Sequence, residues 1–136
     1  MLIVDTGPIV AAADTADRDH EACLRLLSGA APPLVVSPLV VAEAAYLLGR
    51  QLGPMAEAEF FRSICDGDLL VEPMTTTDLR RIADLVEAYA DLGLGGTDAS
   101  VIAIAERFGR PEIATLDHRH FSVVRPAHVV AFRLLP

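Results

Sequence analysis

Short apolar runs recur along the chain, and each of them ends at a polar residue, a glycine or a proline. A brief continuous run of this kind is typical of a strand that is buried on both faces, as in a parallel sheet. The predicted strands cover residues 2–5, 34–36, 69–71, 113–115 and 129–133, and the last has the mixed pattern of a sheet edge.

Apolar residues recur at helical spacing between these runs, and polar residues or prolines mark the helix ends. Ser37 followed by Pro38 is a strong start signal, and the pair Thr75 and Asp78 fits a capping box. The other predicted N-caps are Asp19 and Thr97, and the predicted helices cover residues 9–13, 20–28, 38–51, 55–65, 75–89, 97–108 and 118–123, the first and last being short turns.

Strands that alternate with helices indicate an α/β fold, with a central parallel sheet of about five short strands and helices on both faces. At 136 residues, the chain has the length of one domain, and we expect residues 1–136 to form it. Ligands of such sheets bind at the carboxyl ends of the strands, where Asp5 and Asp117 lie. The helix start at Asp98 can face the same edge. Glu43 lies in an otherwise apolar helix, where an unpaired carboxylate is costly.

Carboxylates that converge in this way favour a site for a hard divalent cation, because Mg²⁺ and Mn²⁺ prefer oxygen ligands. With no histidine or cysteine expected nearby, the same set fits zinc poorly. The candidate metal ligands and catalytic acids are Asp5, Glu43, Asp98 and Asp117, and the candidate supporting hydroxyls are those of Thr6 and Thr115.

Each of these residues also has a purely structural alternative. Asp5 and Asp117 can bond to the backbone of local turns, Asp98 can serve the helix dipole, and Glu43 can face solvent. The histidines lack metal-ligand spacing, so we expect surface positions for His20, His118, His120 and His128, with a phosphate contact as the alternative for His118 or His120.

The composition adds expectations about location and assembly. The hydrophobic fraction of 52% and the mean hydropathy of +0.41 suggest that apolar surface is buried against another chain. No run approaches the ~20 residues of a membrane span, and no signal peptide is recognisable, so we expect a cytoplasmic protein. Cys23 and Cys65 make no disulfide framework and are expected to be buried, reduced thiols.

Charge is distributed unevenly along the chain, whose net charge is −8. All 11 basic side chains are arginines, and the absence of lysine excludes P-loop and Schiff-base chemistry. Residues 107–136 carry five arginines and two acidic residues, whereas residues 1–106 carry six arginines and 17 acidic residues. A basic tail beside an acidic centre suits the binding of a polyanion, which the arginines would hold while a metal ion neutralises the acids. The alternative is that the five arginines are scattered and solvated.

Four segments contain the candidate acids and hydroxyls: LIVDT at residues 2–6, SPLVVAE at 37–43, GTDAS at 96–100 and TLDHRHF at 115–121. These segments resemble the motifs of a PIN domain, and within that family those of the VapC-type toxin ribonucleases. They occur in the family's order and span nearly the whole chain. The first and the last are fairly specific, whereas the middle two are weak alone.

This resemblance implies the toxin of a toxin–antitoxin pair, a Mg²⁺- or Mn²⁺-dependent endoribonuclease that cleaves RNA with a metal-activated water. It also implies a homodimer and a cognate VapB-like antitoxin that inserts a segment into the active-site groove. By the family pattern, Asp5, Asp98 and Asp117 bind metal, and Glu43 holds it directly or through water. The apolar pairs at residues 47–48 and 60–61 are candidates for the dimer interface or the antitoxin groove.

Other functions fit less well. A phosphatase of haloacid-dehalogenase type needs a second aspartate two residues after its nucleophile, where this chain has Gly7, and both it and a receiver domain need a lysine. A catalytically weak PIN-like scaffold that binds RNA or a protein partner without cleavage is the remaining alternative. The presence of all four acids argues against such a scaffold.

Overall fold

The structure is a computed structural model that describes residues 1–136. Five parallel strands form one sheet in the order β3-β2-β1-β4-β5. This arrangement confirms the predicted α/β fold with its parallel sheet. The strands are β1 (Leu2–Val4), β2 (Leu34–Val36), β3 (Leu70–Val71), β4 (Glu112–Ala114) and β5 (Arg133–Leu135).

Helices connect the strands and cover the sheet. None of them combines the length and the apolar character that crossing a bilayer requires. The helices are α1 (Thr6–Ala13), α2 (His20–Gly29), α3 (Pro38–Leu52), α4 (Pro54–Asp66), α5 (Thr76–Ala88), α6 (Gly96–Arg107) and α7 (His118–Phe121), with a 3₁₀ turn at Ala90–Leu92.

The path of the chain places a crevice between β1 and β4. From β1 the chain steps outward to β2 and β3, then returns to β4 on the other side of β1 and continues to β5. Right-handed crossovers that run outward in opposite directions put their helices on opposite faces of the sheet. The carboxyl ends of β1 and β4 therefore flank the switch point at which ligands of open α/β sheets bind.

Helix starts follow the sequence in most cases. The Ser37 hydroxyl accepts from the Val40 N–H at 3.0 Å, and Thr75 with Asp78 forms both hydrogen bonds of a capping box. Asp19 is the N-cap residue of α2, as predicted, although its side chain makes no capping hydrogen bond. The Thr97 prediction was wrong, because Gly95 is the N-cap of α6.

The predicted position of the fifth strand, residues 129–133, was also wrong, because β5 begins only at Arg133. The chain meets β4 there, where the Arg133 N–H donates to the Pro111 carbonyl at 2.7 Å. Val130, inside the predicted strand, is 90% exposed. The apolar run at residues 129–133 therefore indicated roughly where the last strand lies, but hydrogen bonding to β4 sets the residue at which β5 begins.

The core consists of the central strands and the helices packed on them. Ile3, Val35 and Ile113 are fully buried. Cys23 is buried as predicted, whereas Cys65 is exposed near the end of α4, so the prediction for Cys65 was wrong.

The apolar pairs proposed as interface candidates divide between core and surface. Leu48 and Phe60 are 1% and 6% exposed and belong to the core, whereas Phe61 is 45% exposed. One member of each pair therefore cannot contribute directly to a dimer interface.

Candidate metal centre

Asp5 is the first residue beyond β1, and three hydrogen bonds hold it. Its N–H continues the ladder to the Ala114 carbonyl at 2.9 Å. One carboxylate oxygen accepts from the Thr6 N–H at 2.7 Å and so caps α1, and the other accepts from the Thr115 hydroxyl at 2.7 Å. Asp5 is only 4% exposed. The backbone hydrogen bond that the sequence allowed for Asp5 is therefore present, and together with the bond from Thr115 it fixes the orientation of the carboxylate.

Thr115 connects the two strand ends. While its hydroxyl donates to Asp5, the same oxygen accepts from the Asp117 N–H at 3.0 Å. Asp117 Oδ1 in turn accepts from the His120 N–H at 3.0 Å and caps α7. One buried threonine thus fixes the relative positions of the acids that follow β1 and β4.

Glu43 approaches the same region from α3. Its Oε2 accepts a short hydrogen bond of 2.6 Å from the Thr6 hydroxyl, which is buried in the first turn of α1. This bond occupies one carboxylate oxygen of Glu43 and leaves the other available to a ligand or a water. Thr6 therefore links α1 to Glu43 through its side chain.

Asp98 lies in the first turn of α6, and its neighbour is a histidine that the sequence analysis assigned to the surface. His120 Nδ1 lies 3.1 Å from Asp98 Oδ2 and 2.7 Å from Asp117 Oδ2. The His120 side chain is only 15% exposed, whereas His118 is exposed as predicted. The expectation that no histidine lies near the acids was thus wrong. The i,i+3 spacing of Asp117 and His120 was the one available signal.

All four predicted acids line one open groove of about 770 Å³, together with Thr6 and Arg119. Burial raises the pKa of Asp5 to about 6, against the hydrogen bonds from Thr115 and Thr6, and the charges of Asp98 and Glu43 raise it further. Burial also raises the pKa of Asp98, although His120 opposes that shift. The groove therefore concentrates more negative charge than it accommodates well, the condition that a bound cation relieves.

Two arginines of residues 107–136 are paired with acidic side chains and are therefore less available to a polyanion than the sequence suggested. Arg107 contacts Glu72 at 2.8 Å and Asp78 at 3.3 Å, and Arg133 contacts Glu112 at 2.9 Å. Arg119, which is exposed, is the arginine that lines the groove of acids, and one of its nitrogens donates to a backbone carbonyl at 3.4 Å.

Comparison with known proteins agrees with this architecture. The family model described as PIN domain matches residues 2–125. Ribonuclease VapC26 of Mycobacterium tuberculosis is 35% identical over 135 residues, which cover 99% of this chain and 100% of that relative. The crystal structure of M. tuberculosis VapC20, described as a sarcin–ricin loop cleaving toxin, has a TM-score of 0.77 and 20% identity over 83% of this chain and 87% of the other. This second likeness concerns the fold alone.

The chain is an α/β protein with a five-stranded parallel sheet, and the acidic groove at the switch point of this sheet could bind a metal ion. The chain belongs to the PIN-domain family and, within it, to the VapC-type toxin ribonucleases.

Proposed function

We propose that this protein is the toxin of a toxin–antitoxin pair and that it cleaves RNA phosphodiester bonds as a divalent-metal-dependent endoribonuclease. The main support for this proposal is that Asp5, Glu43, Asp98 and Asp117 line one groove at the switch point of the sheet. The full-length similarity to a ribonuclease supports the same conclusion. We further propose that residues 1–136 act as one catalytic unit in the cytoplasm, where RNA is accessible.

The donor set fits a hard divalent ion, for which we propose Mg²⁺ or Mn²⁺. Carboxylate oxygens are the ligands that these ions prefer. Burial raises the pKa values of Asp5 and Asp98, so that their ionised forms are less stable in the protein than in water and gain from a nearby cation. Asp5, Asp98 and Asp117 would hold the ion. When bound, such an ion activates a water molecule and neutralises charge that develops on the phosphate.

The remaining groups of the groove act on water and on RNA. Glu43 has one oxygen engaged by Thr6, so its other oxygen accepts a hydrogen bond from the attacking water and orients it. Arg119 lies on the rim, where its guanidinium can pair with the RNA backbone. Thr115 positions Asp5 and Asp117 without contacting the substrate.

RNA cleavage tests the proposal directly. The substrate pool would contain tRNA, rRNA and a sarcin–ricin loop oligonucleotide, the last because VapC20 is described as cleaving that loop. Discrete cuts that need Mg²⁺ or Mn²⁺ and vanish with EDTA or in Asp98→Asn would support it. If the folded protein neither cuts nor gains thermal stability with either ion, the scaffold alternative replaces it.

Thr115→Val should weaken Mn²⁺ binding by about tenfold, because loss of its hydroxyl frees two of the acids to move. Isothermal titration calorimetry would measure the affinity, with Thr77→Val as the matched exposed control on α5. Unchanged Mn²⁺ affinity in a folded Thr115→Val protein would show that this hydroxyl does not position the site.

An apolar groove beside the acids suits the antitoxin. It has a volume of about 760 Å³ and lies among α1, α2 and α4, with Ile9, Leu24 and Phe60 in its lining. Since α1 contributes residues to both grooves, a partner segment seated here can continue to the acids. The apolar face of an amphipathic helix is the ligand that such grooves take.

Leu24→Asp should weaken antitoxin binding by more than about tenfold, because it puts a charge into this apolar groove. Leu24 is 44% exposed, so the change should leave the fold intact. Leu79→Asp, at a residue 53% exposed on α5, is the control. Equal antitoxin affinity of the two variants in a binding titration would place the antitoxin elsewhere.

We also propose a homodimer. Tyr46 and Met55 are 62% and 71% exposed on the adjacent helices α3 and α4, where a second copy would cover them. Light scattering at micromolar concentration should give about twice the monomer mass of 14.5 kDa. A double change of Tyr46 and Met55 to serine should lower that mass towards the monomer, and a monomeric wild-type protein would refute the dimer.

A further inference from the structure

We infer that the His120 imidazole is a nitrogen ligand of the bound metal ion, which it coordinates through Nδ1 together with Asp98 and Asp117. The inference rests on the proposed metal-dependent function of the same groove and extends its ligand set beyond the four acids. It makes the centre a mixed nitrogen and oxygen site.

The far side of the ring determines which nitrogen is free to bind. His120 Nε2 lies 3.3 Å from the Leu92 carbonyl oxygen. A carbonyl can only accept a hydrogen bond, so Nε2 carries the proton in the neutral ring, and Nδ1 presents a lone pair. Metal-binding histidines generally anchor their second nitrogen in this way, often on a backbone carbonyl.

The near side of the ring faces the acids without a hydrogen bond. His120 Nδ1 is a buried atom that lacks a hydrogen-bond partner of acceptable geometry. Nevertheless, Asp117 Oδ2 and Asp98 Oδ2 lie 2.7 Å and 3.1 Å from it. With a neutral ring, three electron-rich atoms are thus gathered together, and a cation that binds all three removes the conflict.

The spacing of the three groups suits one ion. Two ligands at right angles on an ion with bonds of about 2.1 Å lie about 3.0 Å apart, close to both contacts of Nδ1. Donor atoms of Asp98, Asp117 and His120 all lie within 4.8 Å of one another. The ring cannot easily turn away, since Nε2 lies 3.3 Å from the Leu92 carbonyl oxygen and the side chain is only 15% exposed.

A nitrogen ligand changes which ions bind best. Mg²⁺ is held mainly by oxygen ligands, whereas imidazole suits the later first-row ions, and affinity rises from Mn²⁺ towards Ni²⁺. We therefore expect Co²⁺ to bind the wild-type protein more tightly than Mg²⁺. Removal of the imidazole should weaken Co²⁺ binding far more than Mg²⁺ binding.

Proton NMR of the Co²⁺-loaded wild-type protein tests the ligation directly. A histidine bound through Nδ1 should give one strongly hyperfine-shifted, exchangeable Nε2–H signal that is present in H₂O and absent in D₂O. This measurement does not depend on RNA cleavage or on a variant that folds.

Two variants then test whether the shifted signal and the preference for Co²⁺ over Mg²⁺ come from His120. His120→Asn should lose the shifted signal and should lose at least about tenfold in Co²⁺ affinity by calorimetry, with Mg²⁺ affinity changed less than about threefold. His118→Asn, at the exposed histidine two residues earlier, should keep the signal and both affinities.

The other outcomes would overturn the inference in distinguishable ways. If Co²⁺ and Mg²⁺ raise the melting temperature but no shifted signal appears, the ion binds without His120 and the proposed function stands. Equal losses of Co²⁺ and Mg²⁺ affinity in His120→Asn would make His120 a positioning residue only. If no divalent ion raises the melting temperature, the proposed metal-dependent function fails as well.

Discussion

Asp5→Asn is expected to reduce RNA cleavage by at least about a hundredfold and to abolish the thermal stabilisation by Mn²⁺. Asp5 is the most buried of the four acids and accepts hydrogen bonds from both Thr6 and Thr115. Asparagine preserves the shape and the bond from the Thr6 N–H but removes the charge that attracts the cation. Melting curves with and without Mn²⁺, together with the cleavage assay, would measure both effects.

The same variant should be as stable as the wild-type protein, or more stable, when no metal is present. The pKa of Asp5 rises from 3.8 to about 6 in the folded protein, which corresponds to roughly 3 kcal/mol of destabilisation by the ionised form at pH 8. Asp84→Asn, at an exposed aspartate on α5, removes the same charge elsewhere and should change neither activity nor stability noticeably. Substantial cleavage by folded Asp5→Asn protein would remove Asp5 from the proposed centre.

Metal binding should weaken steeply as the pH falls through about 6. Because the pKa of Asp5 is about 6, a proton competes with the metal below that pH, and the pKa of Asp98 is raised as well. The apparent Mn²⁺ affinity should then fall by about ten- to a hundredfold per pH unit, according to whether one or two protons are displaced. Calorimetric titrations between pH 5 and 8 would give the slope.

In the metal-free protein, the contribution of Asp5 to the free energy of unfolding should depend on pH in the opposite direction. A carboxyl whose pKa is raised by folding binds its proton more tightly in the folded state. Its stabilising contribution is therefore complete below about pH 3.8 and is lost as the pH rises through about 6. The difference in free energy of unfolding between wild type and Asp5→Asn isolates this contribution. A difference that is independent of pH between 5 and 8 would contradict the raised pKa.

Local sequence was sufficient for most of the elements. Apolar runs located β1, β2 and β4 to within a residue or two, because a short strand buried on both faces has few polar positions. Ser37, Thr75 and Asp78 marked helix starts since capping bonds span only three residues. Carboxyl ends of parallel strands share one edge, so the strand pattern also placed Asp5 and Asp117 together.

Contacts that depend on long-range packing could not be predicted in this way. The order β3-β2-β1-β4-β5 sets β1 beside β4, where Val4 pairs with Ala114 although the two residues lie at opposite ends of the chain sequence.

 Local periodicity carries no record of such pairing, because the partner strand lies far away along the chain. For the same reason the ladder to β4, rather than the apolar run at 129–133, decided where β5 begins.

The features of the candidate site also divide into those that local sequence predicts and those that tertiary packing decides. The sequence by itself determined the four acids and the two threonines as candidates, since their residue types and their places at element ends are local properties. Only the tertiary structure brought His120 against Asp98, because α6 and α7 meet through the packing of the fold and not through any spacing between them. Burial, which raises the pKa values of Asp5 and Asp98, is likewise a property of the assembled groove, because desolvation depends on every element packed around a carboxylate.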